Sequence, residues 1–163
     1  HQRTLLVILC GLLCGCIMLA TLVYQGARRD ADEIHNLICT AKSTIYIKPR
    51  ELILNGTLVL DLKSNRIAIH YSVQDQRREQ RLFFQDVAIT PLNRTGMKTY
   101  TFRVKAVHKF NSDTTGEMFS WLRLLQPATE NELTINKIGP RAYLFSLNRQ
   151  IYNFCTTSGG AKA

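Results

Sequence analysis

The chain has 163 residues, of which 45% are hydrophobic, and a formal net charge of +9. Its length fits one domain with a hydrophobic core of its own, and it contains no repeat or low-complexity tract. The basic residues alternate with apolar ones, which indicates a solvated basic face that attracts membrane lipid or an acidic partner, and we expect no direct nucleic acid binding.

The first element is an uncharged apolar run over residues 5–24. As an α-helix this run would reach about 30 Å, enough to cross the hydrocarbon core of a bilayer. We therefore expect a transmembrane helix, in which the spacing of Gly11 and Gly15 favours a close helix–helix contact. The alternatives are a cleavable signal and a lipoprotein acylated at Cys16, but the apolar run continues beyond Cys16 and argues against both.

The cysteines divide into two groups. Cys10, Cys14 and Cys16 lie in the apolar run, whereas Cys39 and Cys155 bracket the rest of the chain. A disulfide between the latter two would persist only in an oxidising compartment, so we expect a bacterial inner-membrane protein with a cytoplasmic amino terminus and a periplasmic domain. The alternative is two unrelated buried thiols in a cytosolic domain.

The expected organisation has four parts. Residues 1–24 are a cytoplasmic start and the transmembrane helix, residues 25–36 a juxtamembrane linker, residues 37–158 a β-rich periplasmic domain, and residues 159–163 a flexible tail. Period-two alternation predicts antiparallel strands in a barrel or sandwich-like domain. These strands cover residues 37–47, 52–62, 67–73, 81–90, 99–109, 133–138, 142–147 and 150–154. Asn55-Gly56 is compatible with a continuous strand or a hairpin bend.

One α-helix is expected within the β domain, over residues 114–125, where apolar residues recur at spacings of three and four. This places Trp121 on an apolar face, as a core plug or, alternatively, as a ligand platform. Tyr100 and Phe102 share one face of a strand and are candidates for the core or for a ligand pocket. His108 has the same parity and is a candidate pH sensor if it is held neutral in apolar surroundings; the alternative is simple exposure near the strand end.

The sequence contains no motif typical of a hydrolase, a nucleotide site or a redox site, and its histidines are scattered. We therefore expect no enzyme activity, no metal site and no cofactor.

The layout combines a short start, one membrane helix and a small β-rich domain, with CTAKSTIYI near its beginning and IYNFC at its end. It resembles the FidL-like and PsaF (MyfF) group of enterobacterial inner-membrane proteins, which are similar in role to ToxS. The resemblance implies an accessory protein that binds and stabilises a ToxR-like membrane-bound transcription regulator as a hetero-oligomer. It further implies a role in sensing pH or an apolar ligand, in control of virulence or fimbrial genes, and a joint β-barrel with a lipid-like or bile-salt pocket.

Two other functions stay open at this point. One is a lipocalin-like periplasmic binder of an apolar ligand, and the other is an assembly factor for surface fibres. An antiparallel domain also tends to leave an edge that another chain can extend, and we expect residues 37–47 or 150–154 to lie near that edge.

Overall fold

The computed structural model describes residues 2–158, which fall into a compact unit that ends at His35 and a second compact unit that begins at Asn36. The predicted flexible tail, residues 159–163, lies outside the described residues.

The first unit is a single helix, α1, from Gln2–His35. Its 34 residues span about 50 Å at the rise of an α-helix. The segment Leu9–Gly26 is long and apolar enough to cross a membrane, a test that a signal sequence also passes. The predicted linker at residues 25–36 is therefore helical almost to its end. A side chain added at Gly11 or Gly15 would meet no described atom within 4 Å, so the predicted contact face of the helix is open.

The second unit is built from antiparallel strands, as the alternation in the sequence predicts. The described part contains strands β1 Ile38–Ile47, β2 Leu52–Asp61, β3 Arg66–Gln74, β4 Gln80–Ile89, β5 Asn93–Arg94, β6 Thr99–Lys109, β7 Glu130–Gly139, β8 Ala142–Leu147 and β9 Ile151–Thr156. Most boundaries of the predicted strands lie within one or two residues of the observed ones, because most strands alternate buried with more exposed side chains.

Eight of these strands close into a barrel. Each long strand pairs with its neighbour in sequence, β4 pairs with β6 past the short β5, and β9 returns to β1. The predicted antiparallel β architecture is thereby confirmed, and of its two expected forms, barrel or sandwich, the structure is the barrel. Most of its inward side chains are apolar, and fully buried examples lie along both halves of the barrel, among them Leu60, Ile67, Val87, Leu133 and Phe145.

Gly56 lies inside a continuous strand and not at a bend. Strand β2 pairs with β3 on both sides of it. A Cβ atom at Gly56 would stand only 2.1 Å from the carbonyl oxygen of His70 and 2.7 Å from the Cα of Tyr71. Gly56 therefore permits a close approach of two backbones, which is a known role of glycine within strands.

Strand β6 contains a β-bulge that changes which residues face the core. The pairing with β4 shifts between Ala88 and Ile89, which makes Lys105 an extra residue and moves the following side chains to the opposite face. Of the two interpretations of His108, exposure near the strand end therefore agrees with the structure, and apolar surroundings do not. His108 is exposed on the outer face, opposite Asp86, with its ring 4.8 Å from that of Phe110.

Residues 110–129 connect β6 to β7 and are called the cap segment here. The predicted helix at residues 114–125 is wrong, because the backbone forms separate turns and only Arg123–Leu125 is a short 3-10 helix. Gly116 has a φ of 57°, outside the helical region, and Leu122 is extended. The buried side chains of this segment are Thr115, Phe119 and Leu124, a spacing that no single helix face provides.

Candidate functional site

One end of the barrel holds an apolar cavity of about 690 Å³. It extends from the turn after β1 down to Leu58 and Ile69, which are directly paired across β2 and β3. The cap segment covers part of its opening. The apolar and aromatic lining consists of Ile45, Tyr46, Ile47, Pro49, Leu54, Leu58, Ile69, Tyr71, Phe83, Phe119, Trp121, Leu122, Leu124 and Ile151. Small-molecule sites have this range of volumes and this apolar character, and they often occupy the mouths of barrels.

A larger depression of about 840 Å³ lies beside the turn between β1 and β2. It is wide open, and its lining includes the charged residues Lys48, Glu51, Asp75 and Arg78. Water solvates such a surface well, so the interior cavity is the better candidate for a binding site.

Packing of two aromatic rings joins the cap segment to the barrel wall. Phe119 stacks on Phe83 with a centroid distance of 4.4 Å, and both side chains are buried. From the β1–β2 turn, Arg50 Nη1 donates a hydrogen bond to the Met118 carbonyl oxygen at 3.0 Å. The cap segment is therefore held at the cavity from two sides.

Trp121 lies at the cavity mouth and is not a core plug. Its side chain is 43% exposed and contributes to the cavity lining. The Arg50 guanidinium stands 5.4 Å from the ring centroid, and Trp121 Nε1 donates to the Met118 carbonyl oxygen at 3.1 Å. The alternative interpretation of Trp121, a platform next to a ligand, agrees with this position.

Asp113 fixes the beginning of the cap segment. Its fully buried side chain accepts hydrogen bonds from the Phe84 backbone N–H, from Gln85 Nε2, and from both the backbone N–H and the hydroxyl of Thr115. Lys109 Nζ lies 3.6 Å away. Burial acts to raise the pKa of this carboxyl, but the hydrogen bonds from Thr115, Gln85 and Phe84 outweigh it, and the pKa lies below its ordinary value of 3.8.

A polar cluster interrupts the apolar wall between β1, β3 and β9. Asn153 Nδ2 donates to Ser43 Oγ at 2.7 Å, and the Ser43 and Tyr71 hydroxyls are hydrogen-bonded at 3.0 Å. Burial raises the pKa of the Tyr71 phenol above its ordinary value of 10.0, although its hydrogen bonds with Ser43 and Asn153 act in the opposite direction. Tyr71 is thus a neutral phenol whose side chain lines the cavity and whose hydroxyl belongs to this polar cluster.

The contact between β1 and β9 is the weakest part of the barrel wall, and we call it the seam. A single register pair, Thr40 with Thr156, joins the two strands. The Cys39–Cys155 disulfide lies beside it, with a Cα–Cα distance of 5.4 Å, which confirms the predicted bond.

Beyond that pair the strands are connected by the side chain of Asn153 instead of a backbone ladder. Its Oδ1 also accepts the Phe154 backbone N–H at 2.9 Å. On the outer face of β9, Tyr152 and Phe154 are 66% and 62% exposed. The terminal strands thus close the barrel with few backbone hydrogen bonds, and they present two large exposed aromatic side chains on its outer face.

The predicted pocket residues are only partly brought together. Tyr100 and Phe102 are buried in the core and do not belong to the cavity lining, whereas Trp121 does. The sequence did not identify Tyr71, Phe83 and Phe119 as cavity residues. An inward aromatic residue has the same place in the alternating pattern whether it fills a core or lines a cavity. Within residues 2–158, no three His, Cys, Asp or Glu side chains are grouped so that they could hold a metal ion.

No protein-family model, curated protein or solved structure matches this chain.

Proposed function

We propose that this chain is a membrane-anchored, lipocalin-like protein whose periplasmic barrel binds an apolar small molecule. The observation that supports the proposal is the cavity of about 690 Å³, lined almost throughout by apolar side chains. Burial of an apolar ligand against such walls is favourable at about 25 cal/mol per Å². Tyr71 and the rim residues supply the few polar groups that orient a ligand in such sites.

Trp121 provides the test, because it is the sole tryptophan and lies at the cavity mouth. We expect energy transfer from Trp121 to the apolar dye N-phenyl-1-naphthylamine when the dye binds the full-length chain in phosphatidylcholine vesicles. Leu58 and Ile69 are cross-strand neighbours that line the cavity. The double substitution Leu58→Phe and Ile69→Phe fills part of the cavity, so the affinity for the dye should fall about tenfold or more.

Val59→Phe is the matched control, because Val59 is the next residue of β2 and faces away from the barrel interior. This variant should bind the dye as the unaltered chain does. Equal dye binding by the paired variant and the control would contradict the proposal.

A second candidate function has support from the seam: a companion of a ToxR-like membrane regulator in the bacterial inner membrane. A single register pair between β1 and β9 and the exposed Tyr152 and Phe154 leave an edge suited to a strand of another chain. Confinement in one membrane would raise the effective concentration of the two proteins, so a modest interface would suffice. The companion would then transmit a stimulus, such as an apolar ligand, to virulence or fimbrial gene expression. The fibre-assembly alternative has no comparable observation in its favour.

Photo-crosslinking tests the companion function in cells. With p-benzoylphenylalanine in place of Tyr152, we expect a covalent adduct with a winged-helix regulator that has a membrane helix and is encoded beside this gene. The same group in place of the exposed Lys105 on β6 serves as control and should give no such adduct. Absence of the regulator adduct at Tyr152, together with unchanged regulator abundance after deletion of this gene, would exclude the companion function.

A further inference from the structure

The charges at the cavity mouth have one sign. Lys48, in the turn after β1, and Arg123, in the cap segment, both contribute to the cavity lining. None of the described residues that line the cavity is acidic. Both cations are exposed to solvent, and the positive potential that they create at the opening of an apolar chamber favours a ligand with a negative headgroup.

Neither cation is neutralised within the described residues. The Lys48 side chain forms no hydrogen bond or ion pair there, and Arg123 Nη2 donates only to a neutral acceptor, the Glu130 carbonyl oxygen, at 3.2 Å. Glu51, in the same turn as Lys48, accepts a hydrogen bond from Gln76 and lines the outer depression instead of the cavity. The two cations are therefore available to a ligand.

From this arrangement we infer that the ligand is an anionic amphiphile with a single acyl-type tail and a carboxylate or phosphate headgroup. The tail lies between Leu58, Ile69 and Phe83, and the headgroup lies between Lys48 and Arg123 at the rim. Arginine binds carboxylate and phosphate through paired N–H donors, and such charge-assisted hydrogen bonds are about twice as strong as neutral ones. The inference rests on the proposed binding function and adds the chemical class of the ligand.

Four probes with the same dodecyl tail test the inference: dodecanoate, dodecyl phosphate, dodecyl maltoside and dodecyltrimethylammonium. Each is titrated below its micelle concentration onto the full-length chain in phosphatidylcholine vesicles, and Trp121 fluorescence reports occupancy. We expect the two anionic probes to bind at least about tenfold more tightly than the maltoside, and the cationic probe to bind most weakly. A preference for the carboxylate would indicate a free fatty acid, and a preference for the phosphate would indicate a lysophospholipid.

Lys48→Gln should weaken binding of the anionic probes about tenfold and leave maltoside binding unchanged. Lys42→Gln is the matched control, because Lys42 is exposed on the outer face of β1 and is absent from the lining. Equal affinity for all four probes, or unchanged affinity in Lys48→Gln, would overturn the inference about the headgroup. Binding of dodecyl maltoside in that case would still support the proposed binding function. If no probe changed Trp121 fluorescence, both would be wrong.

Discussion

Removal of the Cys39–Cys155 disulfide is expected to lower the free energy of unfolding of the β domain by about 4 kcal/mol. The bond joins residues 116 positions apart, and in the chain-entropy model a cross-link over a loop of this size restricts the unfolded chain by about 4 to 5 kcal/mol. The effect should be large here because the bond also lies at the seam, where one register pair joins β1 to β9.

The measurement is urea unfolding of the full-length chain, followed by Trp121 fluorescence, for the paired variant Cys39→Ala and Cys155→Ala. The control replaces Cys10, Cys14 and Cys16 by alanine, because these lie on the exposed helix α1 and form no bond. The control should unfold as the unaltered chain does. An unchanged urea midpoint in the paired variant would show that the disulfide does not stabilise the barrel.

Substitution of Asp113 by asparagine is expected to destabilise the domain by roughly 3 kcal/mol. The carboxylate is fully buried and accepts four hydrogen bonds, from Thr115, Phe84 and Gln85. Asparagine places an N–H₂ group against some of these donors, and hydrogen bonds to a charged group make a net contribution to stability of about 1.5 to 3 kcal/mol each. Because Asp113 holds the cap segment to β4, the loss should also weaken dye binding in the cavity.

The pH dependence of stability gives a second, independent signature of Asp113. Its pKa is lowered in the folded state, so its contribution to stability is present above the unfolded pKa near 3.8 and disappears as pH falls through the lower, folded value. Unfolding measured between about pH 2 and 6 should therefore show an acid-induced loss that is smaller in Asp113→Asn. Glu117→Gln, an exposed carboxylate in the same segment, is the control. Parallel pH profiles for all three proteins would contradict this role.

The strands and the disulfide could be predicted from the sequence because both depend on local or unambiguous signals. Alternation of apolar and polar residues indicates a strand with one buried face and one solvent-exposed face, as in β3. Only two cysteines lie outside the apolar run, so only one disulfide could be formed between them. Asn55-Gly56 was ambiguous, since the sequence does not reveal that the backbone of β3 passes within contact distance of Gly56.

The conformation of the cap segment could not be predicted, and the sequence could not decide which face of β6 carries His108, since both are set by tertiary contacts. Because Lys105 is an extra residue in β6, every later side chain of the strand lies on the opposite face of the sheet. The hydrophobic periodicity of the sequence does not reveal the position of a bulge. In the cap segment, the contact of Phe119 with Phe83 and the bonds to Asp113 outweigh the helical spacing of the apolar residues. The same tertiary contacts shape the cavity, so the cavity could not be predicted from the sequence either.

The central claim, that the barrel cavity holds an apolar ligand, is tested most directly by native mass spectrometry of the full-length chain isolated gently from the cells that produce it. The unaltered protein should carry the added mass of one small amphiphile per chain. The paired variant Leu58→Phe and Ile69→Phe should carry none, and Val59→Phe should retain it. If the unaltered chain carried no added mass, or if the paired variant carried the same added mass as the unaltered chain, the cavity would not be the binding site.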